Sequence, residues 1–586
     1  MPTSRVIGIL TRRAQRGRTG RQQFLASLPL KSRPYLASTV RLAITGMGGA
    51  AALAFVAAAP AAVLCFDTAG KWQENASPAQ RAIRCQDVPL PVHAEVQWAF
   101  MPAQPLSSSP RLAATGAGGN ARFQAVQVLA DVPGPPASVA LPFGQPLLPR
   151  LIASPFGVEE RAILAHSAAN RVTIACRPGA RPAGVTLRGP GVRLPRGASG
   201  VLRVAASGDA GFLLGLGSAG QDPDGLWPAD VAQERDSVDI PLPQAEGELE
   251  PARDSIVVVC PASAATLTLT DVQLLPAGAS QRATRAGWAW AESRWRDGGG
   301  ALLDAALQHG IRSIYISVSL AGDRLAEPAA LERFVQAASA SGVAVWAVEG
   351  DPGMVLAAGR EHALSRLNAI KQYQSAVAAA ARLAGIQYDI EPYLLSAYTE
   401  NPSHIARQWR DTLLALGDAA GSMPMDVVLP FWVLDSPGGK EVASSVRMPG
   451  RSITVMAYRT EVAAIQAAAE PLLAWGASNK VPVRVALEAG PLQDELTQYY
   501  AVDHSGGKSI LWAIPVAGTE VIVRLSQPMQ IEHGRGYQPL RESTTPASRV
   551  SFLGNWPRMR AAVGVLENIF PAWPSYAGMS LHGLLD

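Results

Sequence analysis

The sequence predicts an α/β protein in which a C-terminal (β/α)8 TIM barrel follows an all-β, jelly-roll-like sandwich. Three observations support this fold class. Short β-type runs between Gly/Pro turns fill residues 125–277. From residue 278 to residue 586, apolar strands alternate with helical patterns, which is typical of parallel α/β folds. Eight such strands fit into this second region, whose length of about 300 residues is usual for a TIM barrel.

Residues 1–64 are predicted to direct export of the chain. Residues 1–41 contain nine Lys/Arg and no acidic residue, and residues 42–64 form an uncharged, Ala- and Gly-rich run of membrane-spanning length. A basic region, an apolar stretch and small residues in that order are typical of a secretory signal. This pattern predicts a periplasmic or extracellular protein. The alternative is an uncleaved signal that tethers the protein to the inner membrane with its basic side inside.

The charge of the chain is distributed unevenly. The formal net charge is +4, and because nine positive charges lie in residues 1–41, the rest of the chain carries −5. A mildly acidic folded part excludes the broad basic surface that nucleic acid requires. The sequence also contains no HExxH zinc motif and no glycine-rich nucleotide loop after a predicted strand. It therefore implies no metal and no organic cofactor, and it leaves the oligomeric state open.

The four cysteines are predicted to form two disulfides. They are Cys65, Cys85, Cys176 and Cys260, an even number in a chain predicted to be exported. We expect one bridge between Cys176 and Cys260 and the other between Cys65 and Cys85.

The region before the barrel divides into a linker and the sandwich. Residues 65–124 are predicted to be an irregular linker, because loop-like Gly, Pro and Ser stretches interrupt them. Residues 125–277 contain alternating runs such as TLTLTDVQL. The final run, which ends with TDVQLLP, resembles the last strand of jelly-roll carbohydrate-binding modules, and this resemblance implies glycan binding. The alternative is a structural sandwich that only packs against its neighbour.

Eight apolar runs are predicted to be the barrel strands. They lie at 287–292, 312–320, 343–350, 386–393, 426–435, 452–460, 483–490 and 577–585. Helical patterns fit between them, as in EPAALERFVQAASASG, where Leu331, Phe334, Val335 and Ala338 share one face and Gly342 ends the helix. A β-hairpin insertion is predicted after the seventh strand, at about 502–551.

Carboxylates and aromatic side chains recur at the predicted carboxyl ends of these strands, where TIM barrels place their active sites. In the fourth strand, Asp389 and Glu391 stand two residues apart, so both are predicted to point into the barrel mouth. Repulsion between two close carboxylates raises one pKa, which suits a general acid. Acids beside flat aromatic rings suit a sugar, and cleavage of a glycosidic bond needs a proton donor at the leaving oxygen.

The fourth strand resembles a motif of the chitinase-type family 18 glycoside hydrolases, DGxDxDxE. In AGIQYDIE, Gly385, Asp389 and Glu391 match this motif, whereas Ala384 and Gln387 replace its first two aspartates. The resemblance implies that Glu391 is the general acid. It also implies that Asp389 positions the N-acetyl group of the substrate as the nucleophile.

The sixth strand resembles a second motif of the same family, MxY(D/N). The run MAY ends at Tyr458, which the resemblance places beside the acetamido group of the substrate. Arg459 stands where an acid or amide usually follows.

A weaker likeness connects the chain to the large retaining clan of glycosidases with an NEP motif on the fourth strand. The run IEP, Ile390–Pro392, is similar to that motif except that Ile390 replaces Asn. This likeness implies a nucleophile at the end of the seventh strand, where Glu488 lies. The two versions agree on Glu391 as the acid/base and differ in the nucleophile, and only the first accounts for Asp389.

The sequence therefore predicts an exported glycoside hydrolase-like protein that acts on a polysaccharide or oligosaccharide, such as an exopolysaccharide or an amino-sugar glycan. The alternative is a catalytically degenerate barrel that binds glycan as an exopolysaccharide assembly or export factor. His582, near the end of the eighth strand, is interpreted as a packed, hydrogen-bonded histidine. The candidate sugar contacts are Gln387, Tyr393, Trp432, Glu349, Trp290 and Arg459.

Overall fold

The computed structural model describes the chain between residues 61 and 585, with gaps. The described residues are 61–66, 72–73, 84–102, 106, 111–117, 123–128, 143–157, 161–168, 170–192, 194, 197–217, 226–229, 237–242, 253–277, 283–395, 397–398 and 401–585. Residues 1–60 of the predicted export segment lie outside the described residues. In the part of the chain that the structure describes, no helix has both the length and the apolar character needed to cross a bilayer.

The first described strands lie mainly in the region predicted to be an irregular linker, although β1 begins in the predicted export segment and β5 extends into the predicted sandwich, to whose sheets it does not belong. They are β1 (Ala61–Phe66), β2 (Arg84–Pro89), β3 (Val96–Phe100), β4 (Arg111–Ala117) and β5 (Phe123–Val128). Strands β1 and β2 form an antiparallel hairpin in which Cys65 and Cys85 stand opposite each other and are joined by a disulfide. The prediction of this disulfide is confirmed, whereas the prediction of an irregular linker over 65–124 is wrong.

Two five-stranded antiparallel sheets form the sandwich. Their strands are β6 (Ile152–Gly157), β7 (Ala162–Ala168), β8 (Arg171–Cys176), β9 (Ala183–Val192), β10 (Gly200–Gly208), β11 (Phe212–Gly217), β12 (Leu226–Ala229), β13 (Ser237–Leu242), β14 (Arg253–Val259) and β15 (Ala265–Pro276). The strand orders are β13-β10-β15-β8-β7 and β12-β11-β14-β9-β6. Side chains along β8 and β10 are alternately buried and exposed, as expected for sheets with one solvated face.

The predicted disulfide between Cys176 and Cys260 is confirmed, and it joins the two sheets. Cys176 ends β8 in one sheet, and Cys260 directly follows β14 in the other. The Cα atoms of the two cysteines are 5.7 Å apart. Two disulfides favour an oxidising compartment, periplasmic or extracellular.

The remaining elements run from residue 285 to residue 582. They are β16 (Arg285–Ala289), α1 (Ser293–Arg296), α2 (Gly300–Gln308), β17 (Ile311–Ile316), β18 (Leu320–Ala321), β19 (Arg324–Leu325), α3 (Pro328–Ala340), β20 (Ala344–Glu349), α4 (Ala357–Ala376), β21 (Gly385–Tyr388), α5 (Pro402–Ala420), β22 (Met425–Pro430), α6 (Gly439–Ser444), β23 (Arg451–Met456), α7 (Val462–Asn479), β24 (Val483–Glu488), β25 (Glu495–Val502), β26 (Ser509–Val516), β27 (Thr519–Met529), β28 (Arg535–Thr545), α8 (Trp556–Ile569) and β29 (Tyr576–His582).

Eight of these strands form a closed parallel barrel in the order β16-β17-β20-β21-β22-β23-β24-β29. Helices lie between consecutive barrel strands, and α3 shows why they form. It begins with Pro328 in its first turn, buries Leu331 and Phe334 on one face, and is followed by Gly342 at φ 69°. All eight strands run in the same direction, so their carboxyl ends meet at one end of the barrel, called here the carboxyl rim.

The predicted hairpin after the seventh barrel strand is part of a larger sheet. Strands β26 and β27 pair as predicted, but the complete sheet has seven strands in the order β3-β27-β26-β28-β25-β4-β5. One face buries Trp98, Tyr500 and Tyr537, and the hairpin β1-β2 covers the other face through Phe66 and Val88. Strands β3 and β4 pair with chain that lies far away in sequence, and for this reason the local composition of residues 65–124 does not reveal them.

The sandwich packs against the helical layer of the barrel. The Ser199 amide donates to the Ala572 carbonyl at 2.6 Å, and Gly197 lies beside Ala474 of α7. One continuous cluster of buried apolar side chains extends from the sandwich into the barrel. This contact agrees with the structural interpretation of the sandwich and does not test glycan binding.

Candidate active site at the carboxyl rim of the barrel

A chain of hydrogen bonds crosses the barrel interior below the carboxyl rim. The Trp288 indole donates to Gln387 Oε1 at 2.6 Å, and Gln387 Nε2 donates to Asp426 Oδ2 at 2.7 Å. Ser452 and Thr454 donate their hydroxyls to the same Asp426 carboxylate. Gln387 is completely buried and uses both ends of its amide, so its predicted contact with sugar does not fit this position. Sequence reasoning missed Asp426, although an acid within an apolar strand is a recognisable signal.

The fourth barrel strand ends earlier than predicted. Strand β21 stops at Tyr388, so the prediction that Asp389 and Glu391 share one face of a strand is wrong. Glu391 instead precedes a short 3-10 turn whose first residue is Pro392. Proline has a fixed φ and no amide proton, so the ladder of strand hydrogen bonds cannot continue through Pro392.

Glu391 is buried beside an aromatic cluster. Its side chain is only 4% exposed, and Oε1 accepts a hydrogen bond from the Tyr393 hydroxyl at 2.5 Å. The Tyr393 ring packs edge-on against Trp432, with 5.1 Å between the ring centres, and Tyr398 contacts both rings. Burial, followed by the charge and hydrogen bond of Glu391, raises the pKa of Tyr393 well above its usual value. The predicted residues Glu391, Tyr393 and Trp432 therefore lie together.

Tyr458 connects the ends of three strands. It lies two residues beyond β23, is buried, and stacks on His582 at the end of β29 with 6.3 Å between the ring centres. Burial first, and then the negative charges of Glu488, Asp389 and Glu391, raise the pKa of Tyr458 well above its usual value. The charges of the other three residues predicted to be catalytic thus all act on the Tyr458 phenol at the carboxyl rim.

Glu488 is held by two hydrogen-bond donors. Its side chain is 2% exposed; Oε1 accepts from the Gly490 amide at 2.5 Å, and Oε2 lies 2.6 Å from His582 Nδ1. The other nitrogen of His582, Nε2, accepts from the Trp290 indole at 2.7 Å. The prediction of a hydrogen-bonded His582 agrees with these contacts. Its partner Glu488 could not be predicted, because the two residues come together only through the pairing of β24 with β29. The predicted sugar contact Trp290 lies at the carboxyl rim edge-on to the His582 ring, with 6.0 Å between the ring centres.

Glu349 does not belong to this group. It forms a bidentate ion pair with Arg366 of α4, with N–O distances of 2.6 and 2.7 Å, so its side chain points toward the helices and away from the barrel mouth. The predicted contact of Glu349 with substrate is therefore wrong. In a strand that is buried on both faces, apolar and polar residues do not alternate, so the sequence does not show which side chains face the barrel interior and which face the helices.

Arg366→Leu is expected to reduce the free energy of unfolding by about 3–5 kcal/mol, because it leaves the Glu349 carboxylate buried without its partner. Denaturant unfolding measures the change. The double variant with Glu349→Leu is expected to recover most of the loss, since neither charge then remains. Arg203→Leu is the control: it breaks a bidentate pair with Asp239 whose side chains are 47% and 43% exposed, so its effect should stay below about 1 kcal/mol. An equal loss in both single variants would contradict this role of Arg366.

Arg459 lies at the same rim with its positive charge uncompensated by a described carboxylate. Its guanidinium donates to the Tyr458 carbonyl at 2.7 Å and lies 4.6 Å from the centre of the Phe431 ring. Burial first, and then the nearby charge of Arg549, lower the pKa of Arg459. Among the described residues, the charge that acts on the pKa of Arg459 is thus that of another cation.

The described residues contain no cluster of three or more His, Cys, Asp or Glu side chains placed to hold a metal ion. The polar groups described above at the carboxyl rim include carboxylates, phenols, indoles, the His582 imidazole and the Arg459 guanidinium. This set can bind hydroxyl groups, stack on sugar rings and transfer protons.

No protein-family model matches the chain, and no curated protein matches it. Among solved structures, the chain is similar to the CBM22-1–GH10 modules of Clostridium thermocellum endo-1,4-beta-D-xylanase 10B in complex with xylohexaose. That match has 11% identity and a TM-score of 0.23, and it covers 59% of this chain and 81% of that one. A second match is a family 29 carbohydrate-binding module, a CBM29-2 mutant with cellulohexaose, at 12% identity and a TM-score of 0.17. It covers 23% of this chain and 89% of that one. Likenesses at these TM-scores do not establish a common fold or activity.

Proposed function

We propose that the protein is an exported glycoside hydrolase with a (β/α)8 TIM barrel and that it cleaves a polysaccharide with Glu391 as general acid/base. One observation supports the proposal: the negative charges of Asp389, Glu391 and Glu488 all act on the buried Tyr458, whose ring stacks on His582 at the rim where such barrels bind substrate. The rings of Trp432 and Trp290 lie next to this group, where they can stack on sugar faces.

The hydrogen bond of Glu391 assigns different tasks to its two oxygens. Oε1 accepts the Tyr393 hydroxyl, so the proton for the leaving glycosidic oxygen would be carried by Oε2. The developing positive charge on the sugar then needs a nearby anion or a nucleophile. In the version that resembles family 18, Asp389 and Tyr458 position an acetamido group of the substrate for this task. In the version that resembles the retaining clan, Glu488 performs it.

The second candidate function is glycan binding without turnover, as an exopolysaccharide assembly or export factor. The burial of the proposed catalytic groups favours it, since Glu391 and Glu488 are only 4% and 2% exposed. Gln387, which replaces an aspartate of the family 18 motif, also belongs to the packed interior network.

A panel of oligosaccharides and polysaccharides tests the two functions together. Chito-, gluco-, xylo- and uronate-containing chains are incubated with the protein, new reducing ends are counted, and binding to the same chains is measured by calorimetry. Release of product from at least one glycan is expected. Binding to a glycan without any product would support the second candidate, and neither binding nor product on any glycan would contradict both.

Arg459→Gln is expected to weaken binding of carboxylate-bearing oligosaccharides about tenfold more than binding of neutral ones, because a guanidinium–carboxylate contact contributes about 1.5–3 kcal/mol when partly buried. The motivation is the uncompensated positive charge of Arg459 at the carboxyl rim. Calorimetry with a matched pair of uronate and neutral oligomers measures the difference. Arg558→Gln serves as the control, since Arg558 already pairs with Glu461. Equal losses for both ligands would contradict a role of Arg459 in charge recognition.

A further inference from the structure

His582 lies between an obligate donor and an acceptor. Its Nε2 atom is 2.7 Å from the Trp290 indole nitrogen, and its Nδ1 atom is 2.6 Å from Glu488 Oε2. An indole N–H only donates hydrogen bonds, so Nε2 must accept and cannot carry a proton in this arrangement. The ring proton then lies on Nδ1, where it donates to Glu488. The contacts define a neutral imidazole with a single tautomer.

This tautomer determines which group donates to Glu488. Both carboxylate oxygens accept hydrogen bonds, Oε1 from the Gly490 amide and Oε2 from His582. The carboxylate is 2% exposed, so little water competes for these positions. Glu488 is therefore held in one orientation at the place where the proposed reaction develops positive charge.

We propose that His582 is a positioning residue that holds the Glu488 carboxylate in its orientation, and that the Trp290 indole fixes the tautomer of His582 required for this task. The catalytic role of His582 rests on the proposed function. The assignment of its tautomer depends only on the geometry of its hydrogen bonds. Protonation of Nε2 would break the bond from Trp290, so the indole opposes formation of the imidazolium while Glu488 favours it.

The other groups that face the imidazole are compatible with this role. Tyr458 stacks on it, and Trp288 packs edge-on at 5.5 Å between ring centres. Of these neighbours, only Glu488 and Tyr458 are titratable. Burial and three nearby carboxylates raise the pKa of Tyr458, so the phenol stays neutral at neutral pH and Glu488 is the charge that acts directly on the ring.

The tautomer is tested by nitrogen NMR of the full chain labelled with ¹⁵N in its eight histidines. The signals that are absent from His582→Asn identify His582. At neutral pH the wild-type ring is expected to carry its proton on Nδ1. In Trp290→Phe, which keeps a ring but loses the donor, we expect the pKa of His582 to rise by about one unit or more, because the imidazolium no longer meets the indole N–H. Trp475→Phe, on α7, is the control and should titrate like the wild type.

The catalytic consequence is tested on any glycan that the protein cleaves. His582→Ala removes a donor from Glu488, so the acidic limb of the kcat/KM profile should move up by about one pH unit. His582→Asn can place an amide N–H near the position of Nδ1 and should keep the limb near its wild-type position. Three results would overturn the proposal. They are a proton on Nε2 in the wild type, identical titrations of His582 in Trp290→Phe and in the wild type, and acidic limbs at the same pH for the two His582 variants. If no glycan is cleaved, the proposed function fails while the NMR experiment still decides the tautomer.

Discussion

Glu391→Gln is expected to reduce glycan cleavage by about 10²–10⁴-fold, the usual contribution of a general acid. Gln has nearly the same shape as Glu, and its carbonyl can still accept the Tyr393 hydroxyl, so the rim should keep its structure. The amide cannot supply the proton that the leaving oxygen needs. Initial rates of reducing-end release, measured on the best substrate of the panel, determine the loss.

The control for this variant is Asp435→Asn, which also removes a carboxylate at a strand end. Asp435 follows the fifth barrel strand and is exposed, so its loss should leave turnover unchanged. Thermal unfolding and glycan affinity should be the same in both variants as in the wild type. If Glu391→Gln retains full turnover, Glu391 is not the acid, and the proposed mechanism is wrong.

Glu488→Ala is expected to remove turnover about as completely as Glu391→Gln, whereas Asp389→Asn should retain a larger share. The reason is the orientation of Glu488, whose two carboxylate oxygens both accept hydrogen bonds from fixed donors at the rim. A small anion such as azide should restore part of the activity of Glu488→Ala and give a glycosyl azide, because it can enter the space that the carboxylate leaves and attack the sugar.

The reverse order would favour the substrate-assisted mechanism. In that case Asp389→Asn removes most of the turnover, Glu488→Ala stays close to the wild type, and azide has no effect. Substrates with and without an N-acetyl group at the cleavage site provide an independent check, since only the substrate-assisted mechanism needs this group. Both variants should first be shown to unfold at the wild-type temperature, because each carboxylate lies near Tyr458.

Local sequence patterns were sufficient for the strands and helices of the barrel. The apolar face of α3 and the run that forms β24 are short-range signals, and both appear in the structure close to the predicted positions. The residues near Tyr458 could also be predicted, because residues at the carboxyl ends of parallel barrel strands lie at one rim whichever helices connect the strands.

What could not be predicted depends on contacts between distant residues. Glu349 and Glu488 both end apolar strands, and only the position of Arg366 on α4 shows that Glu349 faces the helices. The role of Gln387 depends on Trp288, from a strand that is not its neighbour in the barrel. The pattern of a single sequence shows neither contact, because both depend on how the barrel closes.

The seven-stranded sheet has a consequence for biogenesis. Leu112 of β4 pairs with Tyr500 of β25, and Trp98 of β3 pairs with Arg524 of β27. Synthesis of the chain therefore delivers three strands of this sheet long before the other four, and these three remain without their partners while the sandwich and most of the barrel are made. Unpaired strand edges invite pairing with other chains. A fragment that begins at the barrel would lack the strands that pair with its own insertion.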